Sequence, residues 1–462
     1  MSPPLASPVF KVNRREPELL TPAKPTPHEF KPLSDIDDQE SLRFHIPVLQ
    51  VYRYEPSMQG KDPVKIIREA LAKALVFYYP FAGRLREGRN RKLLVECTGD
   101  GILFIEADAD VTFDQSGDAL QPPFPYLEEL LFDVPGSSET LNCPLLLIQV
   151  TRFKCGGFVY ALRLNHTMSD GPGLVQFLSA VAEMARGEQA PSILPVWERH
   201  VLDARNPPRV TCIHREYDEI EGINSISSAR IPFPLHDILD KSFFIRSTQL
   251  SALRRFAPPH LHGCSTFQIL TACLWKCRTV ALQPDPKQEM RMICLNNVRK
   301  KFNPPLLPEG YYGNGFALST VVATAGELTQ NPIGYALELV RKATTDMSRE
   351  YLQSVADLMV IKGRPIFHVE GSYIVSDLRH AGFREVDFGW GKAVYGGPLR
   401  AIPMVASFYV PFENKKGENG IVFPICLPTQ AMERFAKELN NLLEGQPIHG
   451  DNNGSSHVLS AL

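Results

Sequence analysis

The sequence predicts a mixed α/β protein made of two halves, and two observations carry this prediction. Short apolar runs that fit buried strands alternate with amphipathic stretches at helical spacing on both sides of residues 206–239. Within residues 206–239 that periodicity fails, and NPPRV, HREYDEIEG and INSISSAR appear instead. Long stretches without hydrophobic periodicity are typical of exposed connections. The chain is therefore expected to fold as residues 1–205 and 240–462, joined by a connection over 206–239.

The first half has well-marked local signals. Asp62 and Pro63 supply an N-cap and a first-turn proline for an amphipathic helix. The apolar run at 145–150 predicts a buried strand, and FVYALRLN at 158–165 predicts a second one. Because Gly156-Gly157 lies between them, the two strands are expected to form a hairpin.

Helix and strand signals continue to the end of the chain. Another amphipathic helix is predicted after Pro172-Gly173. A helix containing ILTACLW is predicted from Ser265, because Gln268 follows at the capping-box spacing. Further helices are predicted near 333–349 and 429–444, and strands near 402–410 and 421–427.

The composition excludes several classes of protein. Of the 462 residues, 44% are hydrophobic and 22% are charged, which is ordinary globular usage. Lysine and arginine number 49 against 51 aspartate and glutamate, so the basic excess of a nucleic-acid-binding protein is absent. No apolar run approaches about 18 residues and no secretory signal is visible, so no membrane partner is expected. Nine thinly spread cysteines favour a reducing compartment, and the cytoplasm is the expected location.

HTMSDG, at 166–171, is the segment most informative about chemistry. It follows a predicted strand and precedes a predicted helix, where loop side chains are held on a rigid support. The neutral form of His166 is able to accept a proton near neutral pH. Asp170 is able to orient that ring or to pair elsewhere, and Gly171 permits a tight turn. By spacing alone, a histidine and an aspartate in a loop are more often structural or solvated than catalytic.

Other kinds of catalytic site find little support in the sequence. One histidine and one carboxylate are too few for a metal, and neither His-Glu-x-x-His nor a cysteine-rich ligand pattern occurs. Gly-x-Ser-x-Gly and protease-type cysteine motifs do not occur either. Glycines at 310–315 and 389–397 lack Rossmann and P-loop spacing. Any chemistry is therefore expected to need neither a metal nor a covalent enzyme intermediate.

DFGWG, at 387–391, is the second unusual segment. Its glycines flank Trp390, one of only three tryptophans in the chain. Composition alone favours a packed corner, in which the glycines make the turn and the indole supplies buried area.

The order of these two motifs, HTMSDG and then DFGWG, resembles the paired signature of the BAHD family of plant acyl-CoA-dependent acyltransferases. Asn165 precedes the histidine, where related condensation domains and chloramphenicol acetyltransferases typically have a second histidine, and this favours BAHD. LSDIDDQESLRF (33–44) and SILPVWER (192–199) resemble the alcohol acyltransferase branch, which forms volatile esters and includes benzyl alcohol benzoyltransferase types. The similarity also runs through ALVFYYPFAGRL (74–85), LLLIQVTRFKCGGF (145–158), STFQILTACLWKCRT (265–279), GYYGN (310–314) and GSYIVSDLRHAGF (371–383), and it covers essentially the whole chain.

The resemblance implies a fold and an activity. Two chloramphenicol-acetyltransferase-like domains would be joined by a long crossover, in agreement with residues 206–239, and an active-site channel would lie at their interface. Acyl-CoA would be a co-substrate and no cofactor would be bound permanently. The expected reaction transfers an acyl group from acyl-CoA to a small alcohol, giving an ester and free CoA, in a cytoplasmic monomer without membrane or nucleic-acid partners.

The resemblance also implies roles for individual residues. His166 would be the general base, and Trp390 Nε1 would donate to the oxyanion of the tetrahedral intermediate. Asp170 would be structural and would pair with an arginine, for which Arg299 is the best match. Gly171, Asp387, Gly389 and Gly391 would be structural members of the two motifs. The CoA contacts would come from Ser265, Thr266, Arg299, Lys300, Ser376 and Arg379.

Two rival functions stay open at this point. One is a member of the same family that acylates an amine or a larger phenolic or terpenoid alcohol. The other is a non-catalytic acyl-CoA-binding protein with the same fold. The intact His166 and DFGWG argue against the second rival, because a binding protein has no chemical need for that base. Release of free thiol from acyl-CoA in the presence of alcohols or amines separates all three.

Overall fold

Strands and helices alternate along the chain in the computed structural model, which describes residues 10–113, 121–124, 126–218 and 237–445. In these ranges the strands are β1 (Val12–Arg14), β2 (Glu18–Leu20), β3 (Phe30–Pro32), β4 (His45–Tyr52), β5 (Arg84–Glu87), β6 (Leu93–Glu96), β7 (Ile102–Ala109), β8 (Leu146–Arg152), β9 (Phe158–Asn165), β10 (Ile238–Arg246), β11 (Glu289–Asn297), β12 (Phe316–Thr324), β13 (Ser372–Asp377), β14 (Tyr395–Pro398), β15 (Ala406–Glu413) and β16 (Asn419–Pro428). The helices are α1 (Pro63–Phe77), α2 (Leu127–Leu130), α3 (Gly171–Ala185), α4 (Ser247–Leu253), α5 (Thr266–Leu282), α6 (Ala325–Gln330), α7 (Ile333–Thr345), α8 (Arg349–Ile361) and α9 (Thr429–Leu443). The predicted α/β class is confirmed.

The first large sheet has the strand order β1–β7–β8–β9–β4–β14, with β2 also paired to β7. Strands β8 and β9 form the predicted antiparallel hairpin, with Leu146 opposite Leu164 and Arg152 opposite Phe158. The second large sheet has the order β10–β16–β15–β13–β11–β12, and a small sheet joins β3, β6 and β5. Each large sheet therefore takes most of its strands from one half of the chain.

The two large sheets pack face to face between outer helices. One face of the first sheet packs on α1 and α3. Its other face meets the second sheet in a shared apolar cluster that includes Leu49 and Ala161 from the first sheet and Phe408 and Val422 from the second. Helices α5, α7 and α9 cover the far side of the second sheet. Because β9 is buried on both faces, its sequence is an apolar run and does not alternate with polar residues.

Helix boundaries follow the predicted caps in most places. Asp62 accepts a hydrogen bond from the Val64 amide at 3.0 Å at the start of α1. Ser265 closes the predicted capping box of α5. The stretch predicted near 333–349 contains α7 and then breaks, because Ser348 caps a separate helix, α8, by accepting from the Tyr351 amide at 3.0 Å. The prediction missed α8 altogether.

Part of the predicted connection over 206–239 lies outside the described residues, which end at 218 and resume at 237. The arm that leads into it is fixed on α8. Ser354 Oγ accepts from the Thr211 and Cys212 amides at 3.0 and 3.1 Å and lies 2.8 Å from His214 Nε2. At the far end, β10 begins at Ile238, inside the predicted connection.

The chain crosses between the two halves a second time, and this differs from the sequence-based division at residue 240. Strand β14 pairs with β4 of the first sheet, with Tyr395 opposite Val51. Ahead of it, Gln50 Nε2 donates to the Phe383 carbonyl at 2.6 Å. Residues 383–398, including DFGWG, are therefore part of the first core.

Two further properties of the structure are the state of its cysteines and the character of its helices. All nine cysteines carry free thiols. Across the described ranges, none of the helices combines the length and the apolar character that a membrane span requires.

Candidate active site

The loop between β9 and α3 carries His166 and is held by hydrogen bonds within the loop and to the segment before β4. Asn165 Oδ1 accepts from the Thr167 amide at 3.2 Å and from Thr167 Oγ1 at 2.7 Å. The His166 amide donates to the Phe44 carbonyl at 2.8 Å, just before β4. Bonds of an Asx type together with a cross-strand bond fix the backbone at the strand end.

The imidazole of His166 lies among apolar rings contributed by both halves of the chain. The ring centroids of Phe44 and Phe316 are 5.5 and 6.3 Å from its own. Nδ1 is buried and has no hydrogen-bond partner among the described residues. Burial lowers the pKa of His166, while Asp170, Asp37 and the Asn314 side chain oppose that lowering. The neutral imidazole, the form that accepts a proton, is therefore favoured near pH 7.

Asp170 is fully engaged by other groups and is not a partner of the imidazole ring. Its two carboxylate oxygens accept from Arg299 Nη1 and Nη2 at 2.7 and 2.8 Å. They also accept from the Gly173 and Gly315 amides at 3.0 and 2.8 Å. Asp170 thus caps α3 and joins the histidine loop to the second half of the chain. The predicted pairing of Asp170 with Arg299 is confirmed.

Arg299 was also predicted to contact CoA, and its geometry does not support that role. Its guanidinium forms the two bonds to Asp170, and Nη2 also donates to the Gly313 carbonyl at 2.7 Å. A guanidinium binds a phosphate through its paired N–H groups, and here that fork is already occupied by a carboxylate.

The other residues predicted to contact CoA differ in their exposure and in whether their polar groups already have partners. Ser265 is the N-cap of α5, and its hydroxyl closes the capping box. Thr266 is the first residue of that helix, and its Oγ1 accepts from Arg254 Nη2 at 3.1 Å. Arg379 is bound to the carboxylate two residues before it at 2.6 Å. Lys300 is exposed, and Ser376 is buried in β13. Across the described part of the chain, no three histidine, cysteine or acidic side chains are grouped as metal ligands.

A second buried network holds the histidine loop, and the sequence analysis did not find it. Asn314 Nδ2 donates to the His166 carbonyl at 2.9 Å and to Asp37 Oδ1 at 2.8 Å. Arg199 pairs with the same Asp37 oxygen at 2.8 Å and donates to the Met168 carbonyl at 2.8 Å. Asp37 and Arg199 lie in LSDIDDQESLRF and SILPVWER, which had been linked to the alcohol acyltransferase branch without any assigned role. The positions of these two segments in the sequence give no sign that Asp37 and Arg199 are in contact.

Neither Gly171 nor Gly173 has a left-handed backbone, and the glycine that this loop requires for steric reasons is Gly173. A Cβ on Gly173 would lie 2.3 Å from the Tyr312 carbonyl oxygen and 2.4 Å from Ser169 Oγ. A Cβ at Gly171 would meet side chains alone, with Leu378 Cδ2 at 3.2 Å and the Phe383 ring at 3.6 Å. Gly173 is therefore the position where the loop and the second half approach too closely for a side chain.

DFGWG forms a tight corner that is capped by its own aspartate. Asp387 Oδ1 accepts from the Gly389 and Gly391 amides at 2.7 and 2.8 Å. Both glycines have left-handed backbones, with φ of 110° and 77°, which other residues adopt at a cost. The corner places Trp390 edge-on to Phe158, with ring centroids 5.3 Å apart.

Trp390 and His166 lie at opposite ends of the same strand. Phe158 is the first residue of β9, and His166 follows its last residue, Asn165. At roughly 3.3 Å per residue, the strand separates Phe158 from His166 by about 25 Å, and the Trp390 ring lies only 5.3 Å from the Phe158 ring. The structure therefore does not bring the indole to the imidazole, and the predicted role of Trp390 as oxyanion donor is incorrect. Its observed place is the packed corner that composition alone favoured.

We expect Trp390→Phe to keep kcat within a few-fold of wild type, because the indole is remote from the reacting atoms. The free energy of unfolding should fall by roughly 0.5–3 kcal/mol, since buried aromatic area is lost. Steady-state kinetics and thermal melts check both, with Trp275→Phe in the second core as the matched control. A fall of about 10²–10³ in kcat at unchanged Tm would restore the oxyanion role.

Two packed sheets with a histidine loop at their junction define a two-domain acyltransferase of the chloramphenicol acetyltransferase type. Residues 10–442 match the Transferase family, and the chain belongs to this family of BAHD acyltransferases. It is 64% identical over 441 residues to benzyl alcohol O-benzoyltransferase of Petunia hybrida, covering 95% of each chain. It is 55% identical over 444 residues to alcohol acyl transferase 1 allele GSa of Malus domestica, covering 96% of this chain and 95% of that one.

Solved structures share the fold at lower identity. Vinorine synthase superposes with a TM-score of 0.71 at 21% identity, covering 96% of this chain and 99% of that one. F. sporotrichioides TRI101, solved with coenzyme A and T-2, has a TM-score of 0.67 at 18% identity, covering 88% and 97%. The predicted two-domain fold is confirmed by these likenesses.

Proposed function

We propose that this protein is an acyl-CoA-dependent alcohol O-acyltransferase in which His166 is the general base. The observation that carries the proposal is a neutral, partly exposed imidazole set among apolar rings where the two halves meet. The identity of 64% to a benzyl alcohol O-benzoyltransferase and of 55% to alcohol acyltransferases supports an alcohol as the acceptor.

The proposed reaction needs one proton transfer in each direction. His166 accepts the proton of the alcohol while the alcohol oxygen forms a bond to the thioester carbonyl carbon. The tetrahedral intermediate collapses by breaking the carbon–sulfur bond, and the imidazolium returns the proton to the sulfur. A thiol has a pKa near 8.5, so the thiolate is a far better leaving group than an alkoxide. The products are an ester and free CoA.

The residues around His166 are proposed to position it and not to react. Asp170 and Arg299 tie the loop to the second half, and Asn314 holds the His166 carbonyl from the same side. Asp37 and Arg199 brace that contact from the first half. Because these hydrogen bonds come from both halves of the chain, His166 keeps this position only when the two halves are packed together.

Acyl-CoA is proposed as a co-substrate that leaves as free CoA, so no resident cofactor is required. A structural neighbour solved with coenzyme A supports this. Lys300, Ser376, Arg379 and the first turn of α5, with Ser265 and Thr266, are the proposed CoA contacts, and Arg299 is removed from that set. We also propose a cytoplasmic monomer that makes volatile esters of small apolar alcohols, for which the nine free thiols support a reducing compartment.

The test is to incubate the purified protein with acetyl-CoA or benzoyl-CoA and with alcohols or amines, while free thiol is followed. We expect thiol release with alcohols only, and an unchanged intact mass after incubation with acyl-CoA alone, because attack is direct. Release only with amines would replace the proposed acceptor. No release with any acceptor would favour the non-catalytic alternative, and a stable acylated protein would overturn the direct mechanism.

A further inference from the structure

The Phe44 side chain is the exposed member of the ring pair beside His166. Its side chain is 37% exposed, whereas Phe316 is 4% exposed. Phe44 lies 5.5 Å from the imidazole with its ring tilted by 46°. The His166 side chain is also partly exposed. An exposed aromatic ring therefore lies next to the imidazole. The backbone carbonyl of the same residue, Phe44, accepts the hydrogen bond of the His166 amide.

Phe316, the other ring beside His166, belongs to an apolar cluster built from both halves of the chain. Leu42 from the first half packs with Ile293, Phe316 and Leu318 from the second. The intervening Arg43 directs its guanidinium to Asp38 and Glu87, at 2.9 and 2.7 Å, so its charge is paired away from the histidine. A substrate group beside Phe44 thus meets hydrocarbon and aromatic surface, which excludes charged acceptors and favours apolar ones.

An alcohol bound for proton transfer to His166 brings its own substituent close to Phe44. The alcohol oxygen must come within hydrogen-bond distance, about 2.7–3.0 Å, of the imidazole nitrogen. In a benzyl-type alcohol the phenyl ring is attached one carbon beyond that oxygen, so it lies about 5–6 Å from the nitrogen. The Phe44 ring is at a matching distance from the imidazole.

We propose that Phe44 is a specificity-determining residue that favours aromatic alcohols over saturated alcohols of equal size, and this rests on the proposed function. Aromatic pairs in edge or offset contact gain free energy beyond the area that they bury. A cyclohexyl group buries similar area without that gain. The ring of Phe44, more than the volume of the site, would therefore set the preference.

The experiment compares benzyl alcohol with cyclohexylmethanol at fixed acetyl-CoA in wild type, Phe44→Leu and Phe44→Tyr. We expect Phe44→Leu to lower the ratio of the two kcat/KM values by about twofold to tenfold. Phe44→Tyr should keep the ratio, since it keeps the ring. Phe30→Leu is the matched control, because Phe30 is 61% exposed on β3.

An unchanged ratio in Phe44→Leu would overturn the proposal. A preference that instead follows the acyl donor, measured with benzoyl-CoA against acetyl-CoA at fixed alcohol, would overturn it as well. Failure of wild type to esterify either alcohol with any acyl-CoA would count against the proposed function itself, so the two failures are distinguishable.

Discussion

Replacement of His166 by alanine is expected to lower kcat for ester formation by about 10²–10⁴-fold while folding and CoA binding stay intact. The reason is that no second base is assigned to the alcohol proton, and Asp170 has all of its hydrogen bonds committed elsewhere. Steady-state kinetics, thermal melts and CoA titration measure the three properties. His260→Ala is the control, because that side chain is 62% exposed and remote from the loop.

The pH profile adds an independent readout for the same residue. His166 is active in its neutral form, and burial lowers its pKa from 6.5. The activity of wild type should therefore persist as pH falls to 6.5 and be lost only below it. Retention of more than about a tenth of kcat in His166→Ala would contradict the general-base role.

Asp170→Ala is expected to lower the free energy of unfolding by about 3–5 kcal/mol, and to lower kcat with it. The substitution leaves the Arg299 guanidinium without its carboxylate at a site where the side chains are 7% and 18% exposed. Arg299→Ala should give a similar loss, and the double variant should lose much less than the sum of the two, because both remove one pair. Thermal and denaturant melts beside kinetics measure these effects.

Arg379→Ala is the control for that pair. Arg379 binds Asp377 two residues away, so removing its side chain breaks none of these hydrogen bonds between the two halves of the chain. We expect a cost within about 1 kcal/mol. If Asp170→Ala melts like wild type while kcat alone falls by about 10⁴-fold, Asp170 orients the ring as in a hydrolase triad and the structural role is wrong.

Local features of this protein could be predicted from its sequence because their causes are local. The Asp62 and Ser265 caps and the β8–β9 hairpin each depend on residues that are close together in the sequence. The partnership of Asp170 with Arg299 was also found, but through a family resemblance and not through spacing.

Long-range contacts could not be predicted in the same way. Asp37 meets Asn314, 277 residues later, and nothing in either segment specifies the other. The misplacement of Trp390 has the same origin. Its role as an oxyanion donor rests on the family resemblance, whereas its position is decided by the pairing of β14 with β4, a register that no local pattern encodes.

The late synthesis of β14 has a consequence for how the first sheet forms on the ribosome. Strand β4 joins the first sheet only once β9, its other neighbour, has been made. Between Asn165, where β9 ends, and Pro398, where β14 ends, the ribosome must add 398 − 165 = 233 residues. At roughly 5–20 residues per second, this takes about 12–47 s. Throughout that interval the nascent first sheet presents one open edge, lined by Val48, Leu49 and Val51, to every other chain being made nearby. A chaperone bound at this edge would protect the growing polypeptide from such pairing until its own distant segment arrives to cover it.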